Sequence, residues 1–382
     1  MTDLLAYFND NLDDMLALLT ALVEHETPSA DKAALDRIGR FVAARCRALG
    51  AEVAVEARDS AGDLVMARWH AAAEESPPIL AVMHMDTVWP VGTLAQRPLR
   101  REGERLYGPG VFDMKGGIAA FLGAVKGLQA LGQFPSRPLW ALFTTDEETG
   151  SHHALGYLTA LARQAALVLI PEPPTPDEGL KTARKGTGGF TVAAQGRPAH
   201  AGNEPQRGVN AIVEIAHQIA VINTLNDFAR GTTVTPTMIG GGVADNVVPP
   251  RATLSVDVRA MEAAERARVE RAMAGLTPHL PGATLEVRGG FNRPPMVRDA
   301  RMARTFQQAA QIAAQVGLPP LAEGSAGGGS DGNFTAALGV PTLDGLGPAG
   351  AGAHAEDEHI IIPGLARRAA LIAGILLYWP TA

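Results

Sequence analysis

The stretch PPILAVMHMDTVW, residues 77–89, carries five apolar residues in a row, Ile79 to Met83, between a proline pair and a histidine. So short a run, apolar at every position, reads as a strand covered on both faces, as strands of parallel sheets are. Working outward, DLVMARW (63–69), RPLWALFTTDEE (137–148) and AALVLIPEPP (165–174) read as further strands. AALDRIGRFVAARCRALG (33–50), IAAFLGAVKGLQALG (118–132) and HHALGYLTALARQ (152–164) read as helices, the first two stopping at glycine. Strand and helix in alternation predict an α/β domain on a mostly parallel sheet.

The pattern changes near Lys181. GGFTVAAQG (188–196), GVNAIVEIAHQIAVINTL (208–225), TVTPTMIGGG (233–242), ATLSVDVRA (252–260), EAAERARVERAMAGL (262–276) and ATLEVRGG (283–290) spell β-α-β-β-α-β, the ferredoxin-like order. Helix 300–317, strand 340–347 and helix 364–379 then return to the first pattern. The expected organisation is one α/β domain from residues 1–182 and 298–382, with an inserted α+β domain at 183–297.

Composition narrows the function. A chain of 382 residues has room for two domains and a sizeable core. Its formal charge of −7 and lack of a long basic run argue against nucleic acid as a partner. Cys46 is the single cysteine, so no intrachain disulfide forms, and it reads as a packed thiol. The N-terminus lacks the basic start and unbroken apolar run of a secretory signal, and no segment is long and apolar enough to span a membrane. A cytoplasmic location is the expectation.

In an open α/β sheet the ligand lies outside the carboxyl ends of the strands. There the chain places His84 and Asp86; Asp146, Glu147 and Glu148; Glu172; His354, in the glycine-rich segment after strand 340–347; and Asp113, in the turn before helix 118–132. Taken singly, each reads as a strand-end hydrogen-bonding group or a solvated turn. Together they are a different matter, because carboxylates packed closely resist ionising and a bound cation reverses that balance. Imidazole with carboxylate suits zinc, and without cysteine in the cluster Mn2+ and Co2+ fit the same donors.

HMDTVWPVGT (84–93), YGPGVFDMKGG (107–117), TTDEETGS (144–151), PEPP (171–174), GRPAHAG (196–202) and GAHAEDEHI (352–360) also carry a resemblance. In order and approximate spacing they are similar to the co-catalytic dizinc metallopeptidases: glutamate carboxypeptidases of the G type, aminoacylases, succinyl-diaminopimelate desuccinylase and peptidase T. The likeness runs over nearly the whole chain and is strongest to the glutamate carboxypeptidase branch.

That resemblance implies two Zn2+ per subunit, one held by His84, Asp113 and Glu172 and the other by Asp113, Glu148 and His354. It implies that Asp86 orients the His84 ring through its other nitrogen. Glu147, next to Glu148 but projecting differently, is the expected general base, with Asp146 structural. In the inserted domain, His200 is expected to stabilise the oxyanion, often across a dimer, while Asn246 and Arg259 bind the substrate carboxylate. The backbone of Gly328 and Gly329 would line the pocket; GSAGGGSDGNF (324–334) lacks the lysine of a nucleotide-binding loop. The inserted domain would serve as lid and as the homodimer surface, through helix 208–222 and the adjoining strand edge.

The implied reaction is zinc-dependent hydrolysis of an amide bond, releasing a C-terminal amino acid, glutamate foremost, from folate-like, N-acyl or short peptide substrates. Arg184, Lys185, Arg288 and Arg293 are candidates to meet an acidic side chain. Two other readings stand beside it: an N-acyl-amino-acid deacylase or dipeptidase on the same scaffold, and a non-catalytic binding protein. The intact Glu147 and complete ligand set argue against the last.

Overall fold

In the computed structural model, which describes residues 3–70 and 74–380, the strand Ile79–His84 sits inside an eight-stranded sheet. Leu139–Thr144 and Leu167–Ile170 flank it in parallel, and Thr342–Asp344 runs parallel to Leu167–Ile170. Antiparallel Leu64–Trp69 and Glu52–Glu56 extend one side. Leu180–Arg184, antiparallel to Thr342–Asp344, and Glu323–Ala326 extend the other. This is the expected mixed α/β fold, parallel at the centre of its main sheet.

Successive residues of a strand face opposite ways, and here both ways lead to apolar cores. Ile79, Ala81, Met83, Leu139, Ala141 and Phe143 pack with helices Leu12–Val23, Lys32–Ala48, Gly116–Ala130 and Ile362–Tyr378. Leu80, Val82, Leu142, Val168 and Ile170 pack on the other face with helix Leu155–Ala162. That is why no polar residue interrupts the strand before His84. In the parallel register His84 lies opposite Thr144, so the residues that follow both strands emerge at one edge.

The chain divides into two compact units. One takes in the chain up to Thr182, Arg298–Ser325, and the chain from Ser330; the other is Ala183–Val297 with Ala326–Gly329. The second unit holds an antiparallel sheet in the order Thr233–Gly241, Arg251–Ala260, Gly186–Gln195, Thr284–Arg293, with helices Ala211–Asn223 and Ala263–Ala274. Ala252, Leu254, Val256, Val258 and Ala260 alternate inward against Ile215, Ile222, Val269 and Met273. This is the ferredoxin-like strand order anticipated from the pattern.

Several elements lay outside the sequence expectations. Helix Leu4–Asp10, helix Leu12–Val23 and the edge strand Glu52–Glu56 belong to the first unit. So does a small sheet in the order Gly350–Ala351, His359–Ile361, Arg105–Tyr107, Arg100–Glu102. Its strands are two or three residues long, too short for any periodicity to register. Among the described residues no helix is long and apolar enough to cross a membrane.

Candidate metal centre

His84 closes a fully buried strand and is itself 2% exposed. Its Nδ1 lies 3.0 Å from the main-chain oxygen of Asp86. A carbonyl can only accept, so Nδ1 carries a proton, and Nε2 is the nitrogen that the ring turns outward. Nε2 lies 3.2 Å from Oδ1 of Asp113 and 3.4 Å from Oε1 of Glu172. The Asp86 carboxylate is 3.5 Å from Nδ1, so the main chain of Asp86 holds the ring more closely than its side chain does.

Asp113 sits in a turn that two glycines make possible. Gly110 has φ 73°, a left-handed conformation, and a Cβ there would lie 2.7 Å from Thr87 Cγ2. At Gly117 a Cβ would fall 1.8 Å from the carbonyl oxygen of Pro171, so the helix after Asp113 can close on the segment that carries Glu172. The Asp113–Met114 peptide is cis. One Asp113 oxygen faces His84; the other lies 3.4 Å from Nε2 of His354.

Glu148 completes the second group, its Oε2 3.0 Å from Nε2 of His354. Glu147–Thr149 form a single tight turn after the strand Leu139–Thr144. The Asp86 carboxylate holds that turn, accepting the N–H of Glu147 at 3.3 Å and of Glu148 at 3.1 Å, together with the Ser29 hydroxyl at 2.7 Å. Glu147 is buried beside the donor groups without belonging to either of them. Asp146 accepts the N–H of His153 at 2.6 Å and shapes the turn from behind.

Two sets of donor atoms thus form, His84, Asp113, Glu172 and Asp113, Glu148, His354, each within 4.8 Å. The charges around them are strongly perturbed. Asp113 and Glu148 raise the His354 pKa to about 10. Burial opposes charge on His84, but Asp113, Asp86 and Glu172 outweigh it and hold the ring well above the usual imidazole value. Burial pushes the Glu148 carboxyl up, and its Oε1 is sealed from solvent without a hydrogen-bond partner. A sealed carboxylate oxygen, outward-turned imidazole nitrogens and an aspartate shared by both groups fit divalent cations.

Sequence reading missed Glu358, in the acidic run EDEH (356–359). It is buried and accepts the N–H of Gly110, Phe112 and Asp113 and the indole N–H of Trp89. The available signal was its place directly before the apolar HIII (359–362), where a solvated acid is out of keeping.

His200, Asn246, Arg259, Gly328 and Gly329 all lie in the second unit. His200 pairs with Val247 in an isolated bridge, and Ala201 N–H donates to Asn246 O at 2.9 Å, which sets His200 and Asn246 side by side. Nδ1 of His200 accepts from Gly202 and Asn203, each at 3.1 Å, so the neutral ring carries its proton on Nε2. Arg259 grips Asp257 on its own strand with contacts of 2.9 Å. Arg184 is buried and donates to the carbonyls of Gly328 and Gly329 at 3.3 Å, whereas Arg288 pairs with exposed Glu286.

Residues 80–378 match the sequence profile described as Peptidase family M20/M25/M40. Carboxypeptidase G2 of Pseudomonas sp. (strain RS-16) is 30% identical over 377 residues, covering 96% of this chain and 90% of its own. A succinyl-diaminopimelate desuccinylase of Delftia acidovorans is 28% identical over 316 residues, covering 78% of this chain and 80% of its own. Among solved structures, the aminopeptidase PepT of Bacillus cereus superposes with a TM-score of 0.76 at 22% identity, over 96% of this chain and 98% of that one.

Proposed function

The chain belongs to peptidase family M20/M25/M40, and on that premise we propose that it is a dizinc exopeptidase releasing a C-terminal amino acid, glutamate foremost, from folate-like, N-acyl or short peptide substrates. The observation that carries the reading is Asp113 shared between two donor groups, with the buried carboxylate of Glu147 beside them. Glutamate rests on the resemblance of the motifs to the glutamate carboxypeptidase branch. Ions bound by His84, Asp113 and Glu172 and by Asp113, Glu148 and His354 would polarise the amide carbonyl and render a water nucleophilic at neutral pH.

The chain's own residues do the rest. Glu147 takes the proton of the attacking water and delivers one to the leaving amine. Asp86 holds the N–H groups of both Glu147 and Glu148, so one carboxylate fixes base and ligand together. The Nε2 proton of His200 is offered to the developing oxyanion. Asn246 and Arg259 take the substrate carboxylate, Arg259 exchanging Asp257 for it. The backbone of Gly328 and Gly329 flanks the substrate. The enzyme works as a cytoplasmic homodimer, joined through helix Ala211–Asn223 and the adjoining strand edge Thr233–Gly241, where Val213, Val221, Met238 and Ile239 are exposed.

Hydrolysis of a matched panel tests this: folate or an N-acyl-glutamate, its N-acyl-alanine and N-acyl-lysine counterparts, and acetyl-amino acids, each with and without chelator. Chelator-sensitive cleavage selective for the glutamate compounds is expected. Selection by the acyl group, whatever the amino acid, would instead make the protein a deacylase on the same scaffold.

A further inference from the structure

Glu358 donates to neither metal group, yet it is only 2% exposed and both its oxygens are engaged. Oε1 accepts the N–H of Phe112 at 3.0 Å and of Asp113 at 3.1 Å. Oε2 accepts the N–H of Gly110 at 2.8 Å and the indole N–H of Trp89 at 2.9 Å. Three of these donors belong to the turn that presents Asp113. The fourth belongs to the segment leaving the strand that ends in His84, and Glu358 itself follows His354 by four residues.

We propose that Glu358 is the positioning residue that ties these three ligand-bearing segments together and so sets the geometry of the metal pair. This rests on reading His84, Asp113, Glu148, Glu172 and His354 as ligands. The tie bears most on the group containing His354, because His84 is already fixed by its buried, paired strand and by the Asp86 carbonyl, whereas His354 stands in a turn four residues from Glu358. The segments of Asp113 and His354 both pass through left-handed backbone, with φ of 73° at Gly110 and 62° at His354. Main-chain N–H groups pinned to a buried anion fix where the Asp113 side chain departs from the chain.

Only a carboxylate serves here, because every partner is an N–H donor. An amide of the same shape would turn its NH2 toward two donors whichever way it flipped. Glu358→Gln is therefore an isosteric test of the acceptor pair. Glu358→Asp keeps the charge and both acceptors, and Trp89→Phe removes one donor of the four while leaving the backbone alone.

The full-length protein, stripped and titrated calorimetrically with zinc, reads the result. Glu358→Gln should weaken zinc binding about 10- to 100-fold, as loss of a residue behind the ligands does, with the larger loss at the ion held by His354. Trp89→Phe should weaken it less, and Glu358→Asp should recover part of the loss. With zinc in excess, kcat should fall while KM holds. Unchanged zinc affinity in Glu358→Gln with a lowered melting temperature would overturn the proposal, marking Glu358 as a structural brace. Should that variant not fold, unchanged affinity in Trp89→Phe would overturn it equally. A wild-type chain that takes up no zinc would bring down the metal reading itself, and this proposal with it.

Discussion

At the sheet rim of the first unit, carboxylates and imidazoles crowd within a few ångströms, most of them largely buried and His354 half exposed. Along the edge of the second unit's sheet, Met238 and Ile239 are instead 68% and 59% exposed. One region carries a surplus of negative charge, the other a surplus of apolar surface. Each surplus asks for a different complement. For the rim it is a cation, since no rearrangement of side chains relieves like charges held on four separate segments. For the edge it is another surface, since an unpaired apolar strand invites one.

Removing divalent ions probes the rim most severely. Hydrolysis should be abolished by chelation, and reloading the stripped protein at pH 7 should release protons, because His354 in the metal-free protein titrates at about 10. Apparent metal affinity should accordingly climb with pH until that value is passed. The same raised pKa stabilises the metal-free fold: the contribution is complete below the ordinary imidazole value of 6.5 and is lost as pH rises through about 10. Calorimetry in buffers of differing ionisation enthalpy reads the proton release, and its absence would break the electrostatic account.

A smaller but sharper effect comes from Glu147→Gln. Turnover should drop roughly 10²–10⁴-fold, the usual contribution of a general base, while both ions and the melting temperature stay. Loss of metal along with activity would make Glu147 a ligand and remove it as the base.

The mildest perturbation belongs to the second unit. Ile239→Glu places a charge on the exposed edge and should shift dimer toward monomer in sedimentation equilibrium, with unaltered metal content. A wild-type chain that sediments as a monomer would refute that use of the face.

These two regions were also legible to different degrees. The second unit's sheet was readable because each inward face repeats at its own period, two along Ala252–Ala260 and about 3.6 along Ala211–Asn223. Most of the rim's acids and histidines could be gathered from the sequence because they follow apolar runs where strands end, while their division into two groups came only with the resemblance. What escaped was set mainly by tertiary contact. Nothing local marks the main-chain oxygen of Asp86 as the closer hold on His84. The three-residue strand His359–Ile361 carries no period, and with it went the meaning of Glu358. Nor could a pattern reveal that Arg259 faces Asp257, two residues away on its own strand.

The insertion has a consequence for the timing of synthesis. His84, Asp113, Glu148 and Glu172 leave the ribosome before the second unit, and His354 leaves long after it. The inserted unit is nearly continuous in sequence and can fold as it emerges, while the outer unit waits for its closing strand and last helix. A chain cut short of residue 354 therefore lacks one member of the group formed by Asp113, Glu148 and His354. On the proposed reading, fragments that stop before His354 are inert toward the peptides around them.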